Sequence, residues 1–122
     1  ESEVPPVIKE KMVAANSSQT TRSRSRTGKH SRQLVSPWTD AWESEQAPDP
    51  LPMPLQPMVA EPALQKVAKL AEGGHDGARD LATYWVGQGV GLMNQSISAS
   101  DVVQEFKEDF AEAYERLTGF VS

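Results

Sequence analysis

The clearest pattern in the chain lies near its end, where Val103, Phe106, Phe110, Ala113, Leu117 and Phe120 recur every three or four residues. That spacing puts them on one side of an amphipathic helix with a continuous apolar stripe. Ser98 or Ser100 is placed to cap it, and Asp101 suits the positive end of the helix dipole. Near the start, Ile8, Met12 and Ala15 share a face of a shorter helix over Val7–Asn16, opened by Pro5-Pro6, with Asn16 as its stop. Leu64, Val67, Ala68 and Ala71 line one side of a third helix, expected over Glu61–Glu72, with Pro62 in its first turn and Gly73-Gly74 ending it. Asp76 is expected to cap a further helix running through Ala82.

Between the first two of these stripes the period changes. Arg22, Arg24 and Arg26 alternate with Ser23, Ser25 and Thr27 ahead of the turn residues Thr27-Gly28-Lys29, and Ser31–Val35 follows. Alternation around a glycine turn predicts a hairpin. Both of its faces are polar, so a neighbouring surface must help hold it. Ser36-Pro37 then opens a helical turn over Trp38–Ser44, with Ser36 as N-cap and Trp38 and Trp42 on one face. Prolines at 48, 50, 52, 54 and 57 predict an extended crossing without regular helix over Ala47–Pro57. The chain reads as mainly α with one small β-hairpin.

Charge adds an asymmetry. Residues 1–35 carry a net charge of +4 and residues 36–122 a net −9, which together give the −5 of the whole chain. The Arg22–Arg26 stretch invites contact with phosphates. No aromatic residue interleaves with it, however, and a solvated or inter-domain strand face accounts for it better. There are no cysteines, which excludes disulfides, thiolate metal sites and cysteine nucleophiles. His30 and His75 are the only histidines and have no acidic cluster near them in sequence, so neither a metal site nor a catalytic residue is assigned. No apolar run approaches the roughly 18 residues that span a bilayer. Neither nucleic acid nor a membrane is expected as a partner, and the location is read as cytoplasmic.

The most informative stretch for chemistry is Tyr84-Trp85-Val86-Gly87-Gln88-Gly89-Val90-Gly91. Its glycines allow close backbone approach and positive φ, and Gln88 offers an amide donor and acceptor. It is neither a dinucleotide fingerprint nor a phosphate-binding loop, since the spacing differs and no GK[ST] follows. A tight turn and a ligand contact both fit these residues.

The order of three stretches resembles one family. Glu1-Ser2 followed by Val7-Ile8-Lys9, then Thr21-Arg22 through Thr27-Gly28-Lys29 and Arg32, then Trp85-Val86-Gly87-Gln88-Gly89-Val90-Gly91-Leu92 resemble the C-terminal third of nitronate monooxygenases, also called 2-nitropropane dioxygenases. The tryptophan segment and Pro52–Gln56 fall between them in the expected order, while Lys29-His30 stands where Arg-Pro is usual. The resemblance implies the C-terminal part of an FMN-dependent (β/α)8-barrel oxidoreductase. Residues 1–16 would be the last barrel-side helix, 17–84 a lid over the substrate, and 85–122 the glycine joint and a terminal helix returning to the barrel. It further implies that Gly87, Gln88 and Gly89 approach the flavin, and that Tyr84 and Trp85 line a cavity for a small nitronate-like substrate. The catalytic base and most of the FMN site would lie upstream of Glu1, on the rest of the same polypeptide. The alternative reading is a non-enzymatic module whose basic hairpin binds an anionic partner.

Overall fold

A computed structural model describes residues 1–121 and is mainly helical with one two-stranded antiparallel hairpin. In chain order the elements are α1 (Pro6–Ala14), β1 (Thr20–Ser23), β2 (Ser31–Leu34), α2 (Pro37–Glu43), α3 (Leu55–Glu72), α4 (Asp76–Leu81), a 3-10 turn at Gln88–Leu92, and α5 (Ala99–Gly119). Packing divides the chain into one compact unit of Val4–Asn94 and a second of Glu1–Glu3 with Gln95–Ser122. The segments 1–16, 17–84 and 85–122 are divisions by expected role, and packing follows other lines.

One apolar cluster of the first unit is Val7, Ile8, Ala71, Ala78 and Ala82, with Val4, Met12, Val67 and Tyr84 packed against it; Leu34, Ala60, Leu64 and Val90 are buried besides. Three of the five buried side chains in that cluster are alanine, so α1, α3 and α4 approach closely and bury little area each. Polar contacts supplement this thin core. The Lys11 ammonium donates to the carbonyls of Asp80 (2.9 Å) and Ala82 (2.6 Å), which satisfies acceptors left over at the C-terminus of α4. Glu10 and Arg79 form an ion pair between the same two helices.

α3 departs from the sequence expectation at its start. It begins at Leu55, six residues before Glu61, so Pro57 lies in its first turn and Pro62 lies inside it. Pro57 is accommodated because the first N–H groups of a helix have no intrahelical acceptor. Pro62 removes the bond to the Met58 carbonyl, and Met58 is 71% exposed, where water can take that bond. The end of α3 is as expected. Gly74 has φ +89°, the His75 N–H donates to the Leu70 carbonyl (3.1 Å) and the Gly74 N–H to that of Ala71 (3.1 Å). These paired bonds close the last turn in a Schellman arrangement. His75, and not Asp76, then caps α4, its Nδ1 accepting from the Ala78 N–H at 3.1 Å.

The hairpin pairs Thr20 with Leu34 through Ser23 with Ser31. Its polar interior is held by α3 and the proline-rich crossing. The Gln56 amide donates to the Ser25 carbonyl (2.7 Å) while its oxygen accepts from the Leu51 N–H (2.9 Å). Ser23, Ser25 and Gln33 are fully buried. At α2, the Ser36 N–H donates to Thr39 Oγ1 (2.9 Å), and the Ser36 hydroxyl reaches the Leu81 carbonyl (3.1 Å). Trp38 and Trp42 share a face as expected, with ring centroids 6.1 Å apart.

In the second unit, Ser98 caps α5 by accepting from the Asp101 N–H (3.1 Å), and the Ala99 N–H donates to Glu1 (2.6 Å). The apolar stripe is there, but no residue of α5 is buried: Phe106 is 69% exposed and Phe110 74%. Among the described residues no helix is long and apolar enough to cross a membrane.

Candidate functional site

The segment that carries the candidate residues is fixed along the free edge of β2. The Leu34 N–H donates to the Tyr84 carbonyl (3.0 Å) and the Val86 N–H to the Arg32 carbonyl (3.1 Å), with Gln33 and Trp85 paired between them. The Thr83 hydroxyl adds a bond to the Leu34 carbonyl (2.6 Å). Residues 83–86 therefore extend the hairpin as a short third run. Four residues are too few for an alternating pattern to show in sequence.

This run sends consecutive side chains to different places. Tyr84 packs against the apolar core, whereas Trp85 is 40% exposed, and the two rings meet edge to face at 5.7 Å. Beyond them Gly87, Gln88 and Gly89 are exposed. Gln88, Gly89, Gly91 and Leu92 line a groove with Asn16 and Ser17 from the loop after α1. Sequence reading did not single out Asn16 or Ser17 as neighbours of this groove; they are distant from it in the chain and carry no local signal.

The three glycines of the joint differ in what the fold asks of them. None has positive φ, so the expected conformational reason for them does not apply; among the described residues only Gly28 and Gly74 adopt that region. A Cβ on Gly91 would lie 2.7 Å from the Ser17 nitrogen, so close approach of the α1–β1 loop accounts for that glycine. A Cβ on Gly89 would meet nothing within 4 Å, and one on Gly87 only the Gly89 nitrogen at 3.9 Å. The internal packing of this unit leaves Gly87 and Gly89 without a reason to be glycine. Between them stands Gln88, exposed, its side-chain amide without a protein partner among the described residues.

Residues 1–109 match the family described as nitronate monooxygenase. The chain belongs to the nitronate monooxygenase family. It is 47% identical over 122 residues to a Mycobacterium tuberculosis (strain ATCC 25618 / H37Rv) protein named "Putative monooxygenase Rv1533", a match that covers 99% of this chain and 32% of that protein. The chain thus spans about a third of that relative's length. No solved structure matches the chain.

In this member of the nitronate monooxygenase family Arg22, Arg24 and Arg26 do not form a common basic face. Arg22 is exposed, and the Arg24 Nε donates to the Gly28 carbonyl (3.0 Å) inside the turn. Arg26 is only 4% exposed and pairs with Glu61 of α3 through two bonds of 2.9 Å. β1 stops at Ser23, so Arg24 and Arg26 belong to the turn and not to a strand face. That geometry takes Arg24 and Arg26 out of the surface on which an anion-binding module would depend, and that reading is not favoured. Arg26 and Glu61 are also the pair that sequence reading missed: 35 positions separate them, and no local pattern links the two.

Proposed function

We propose that this chain is the C-terminal part of an FMN-dependent, nitronate monooxygenase-like oxidoreductase. In this reading Gly87, Gln88 and Gly89 approach the flavin bound mainly by the rest of the polypeptide. The observation that carries it is the contrast among the glycines: Gly91 is required by its neighbours, while Gly87 and Gly89 flank an exposed amide with room for a Cβ. Glycine kept where the chain itself needs none fits the close approach of a group from outside the unit.

The residues present fit the polar edge of a flavin. Gln88 can donate and accept at once, which suits a ring whose edge alternates carbonyls and ring nitrogens. The groove has no Lys or Arg for a phosphate and no side chain suited to be a general base. In this reading both functions fall to the rest of the polypeptide. When bound, the flavin supplies the redox chemistry between the nitronate and molecular oxygen. This chain's part is to orient the ring edge through Gln88, to line the substrate side with Trp85 set by Tyr84, and, as the lid, to limit access of water. The apolar stripe of α5, uncovered in the second unit, suits burial against the barrel of the same polypeptide. A cytoplasmic location accords with the absence of cysteine from the chain.

The test is purification of the whole polypeptide that carries this chain, followed by flavin extraction and oxygen uptake with an alkyl nitronate such as ethyl nitronate. Bound FMN and nitronate-dependent oxygen consumption are expected. A well-folded protein that neither retains FMN nor consumes oxygen would overturn the proposal.

A further inference from the structure

The Arg26 guanidinium has three kinds of neighbour, and together they define a mount for one aromatic ring. Its edge is clamped by the two Glu61 oxygens, each at 2.9 Å. Its face lies against an indole, with Cζ 3.7 Å from the Trp85 ring centroid. Tyr84 sits further off at 5.5 Å. The remaining amino group, Nη1, is buried and has no hydrogen-bond partner among the described residues. An ion pair kept only to tie the hairpin to α3 does not require a planar cation at stacking distance from an indole. That geometry is specific to a guanidinium, which stacks as a flat plate while its edge stays bonded.

Trp85 is thereby fixed twice. Its backbone is paired with Gln33, whose own side chain is fully buried and bonded to Ser23 and Ser31. Its ring is held by the guanidinium, yet the residue remains 40% exposed. A half-exposed indole held in one orientation by a buried, doubly clamped cation is a preorganised surface for another flat group. The Arg26–Glu61 pair behind it carries no net charge, so what the mount offers a ligand is the flat area and fixed orientation of the indole.

We propose that Arg26 is a positioning residue: clamped by Glu61, it fixes Trp85 as a stacking platform for a planar, delocalised group on the substrate side of the site. A nitronate belongs to that chemical class. The inference rests on the reading of Trp85 as substrate-facing given above, and it extends that reading to two residues that never touch the ligand.

The experiment uses the whole polypeptide with its flavin and compares wild type with Arg26→Lys, Glu61→Gln and Trp85→Phe. Lysine keeps the charge but loses the flat plate and the two-pronged clamp. Two readouts separate this inference from the enzyme assignment. The first is acrylamide quenching of the Trp85 emission, isolated by subtracting the Trp85→Phe protein; it needs no turnover. Quenching of Trp85 is expected to increase about twofold or more in Arg26→Lys and Glu61→Gln, as the ring loses its fixed partner. The second is steady-state oxygen uptake, where KM for ethyl nitronate is expected to rise about tenfold in both variants with kcat changed less than about twofold, the signature of lost ground-state positioning. Unchanged quenching and unchanged KM in variants that melt like wild type would overturn the positioning role. A fall in kcat alone would also overturn it. If wild type itself shows no nitronate turnover, the enzyme assignment fails, while the quenching result still decides whether Arg26 fixes the ring.

Discussion

Gly28 faces the carbonyl of Leu51 so closely that a Cβ at position 28 would sit 2.3 Å from that oxygen. The contact ties the tip of the hairpin to the proline-rich crossing and explains why this turn, at φ +80°, holds glycine. Gly74 shares the left-handed conformation at φ +89° but has nothing within 4 Å of its would-be Cβ. The two sites separate conformational strain from collision. Gly74→Ala is expected to lower stability by about 1 kcal/mol. Gly28→Ala carries the same strain plus a clash with backbone, and is expected to cost at least about 2–3 kcal/mol. Denaturant unfolding of the two variants checks this; equal losses would mean that the crossing moves aside without cost.

Lys11 gives the fold a pH signature. Burial pushes its ammonium below the usual 10.5, and nearby Arg79 acts in the same direction, while Asp80 opposes both. The folded chain therefore releases this proton at lower pH than the unfolded chain does. Between the lowered value and 10.5 the unfolded state binds more protons, so this residue makes stability rise with pH across that alkaline window and leaves it flat below. Lys11→Met should abolish the rise. At neutral pH the same variant should lose about 1–2 kcal/mol, because the carbonyls of Asp80 and Ala82 lose their donor. Thermal melts of both proteins from pH 8 to 11 test the sign.

The stripe on α5 separates two surroundings for the same side chain. Phe110 is 74% exposed in this chain. Were it to stay so, Phe110→Ala would change stability by less than about 0.5 kcal/mol. Burial against a barrel in the whole polypeptide should raise the loss to about 3 kcal/mol. Parallel denaturation of the 122-residue chain and of the whole polypeptide distinguishes the cases.

Local physics made several elements readable from residues alone. The 3.6-residue period of α5, the Ser36-Pro37 start of α2 and the Gly73-Gly74 end of α3 each depend on neighbours within a few positions, whereas α1 ends at Ala14, which leaves Ala15 outside the expected stripe. What escaped depends on distant partners. α3 starts at Leu55 despite two prolines because Gln56, Ala60 and Leu64 gain burial against the rest of the unit, a return that proline counting ignores. Arg26 alternates like a strand residue, but Glu61 draws it into a turn and buries it. The glycine joint was legible as a place of close approach. Its partner on one side, Ser17, became visible only in three dimensions, and conformational freedom was the wrong reason for the other two glycines.

The proposed approach of Gly89 to a flavin held by the remainder of the polypeptide is tested most directly by the FMN dissociation constants of Gly89→Ala and Gly91→Ala proteins. A Cβ at 89 meets nothing in this chain, so Gly89→Ala should melt within about 0.5 kcal/mol of wild type as apoprotein. It should nonetheless bind FMN at least about tenfold more weakly, a loss of about 1.4 kcal/mol. Gly91→Ala should lose stability first, through the Ser17 contact. A Gly89→Ala protein that folds normally and binds FMN as tightly as wild type would contradict the account.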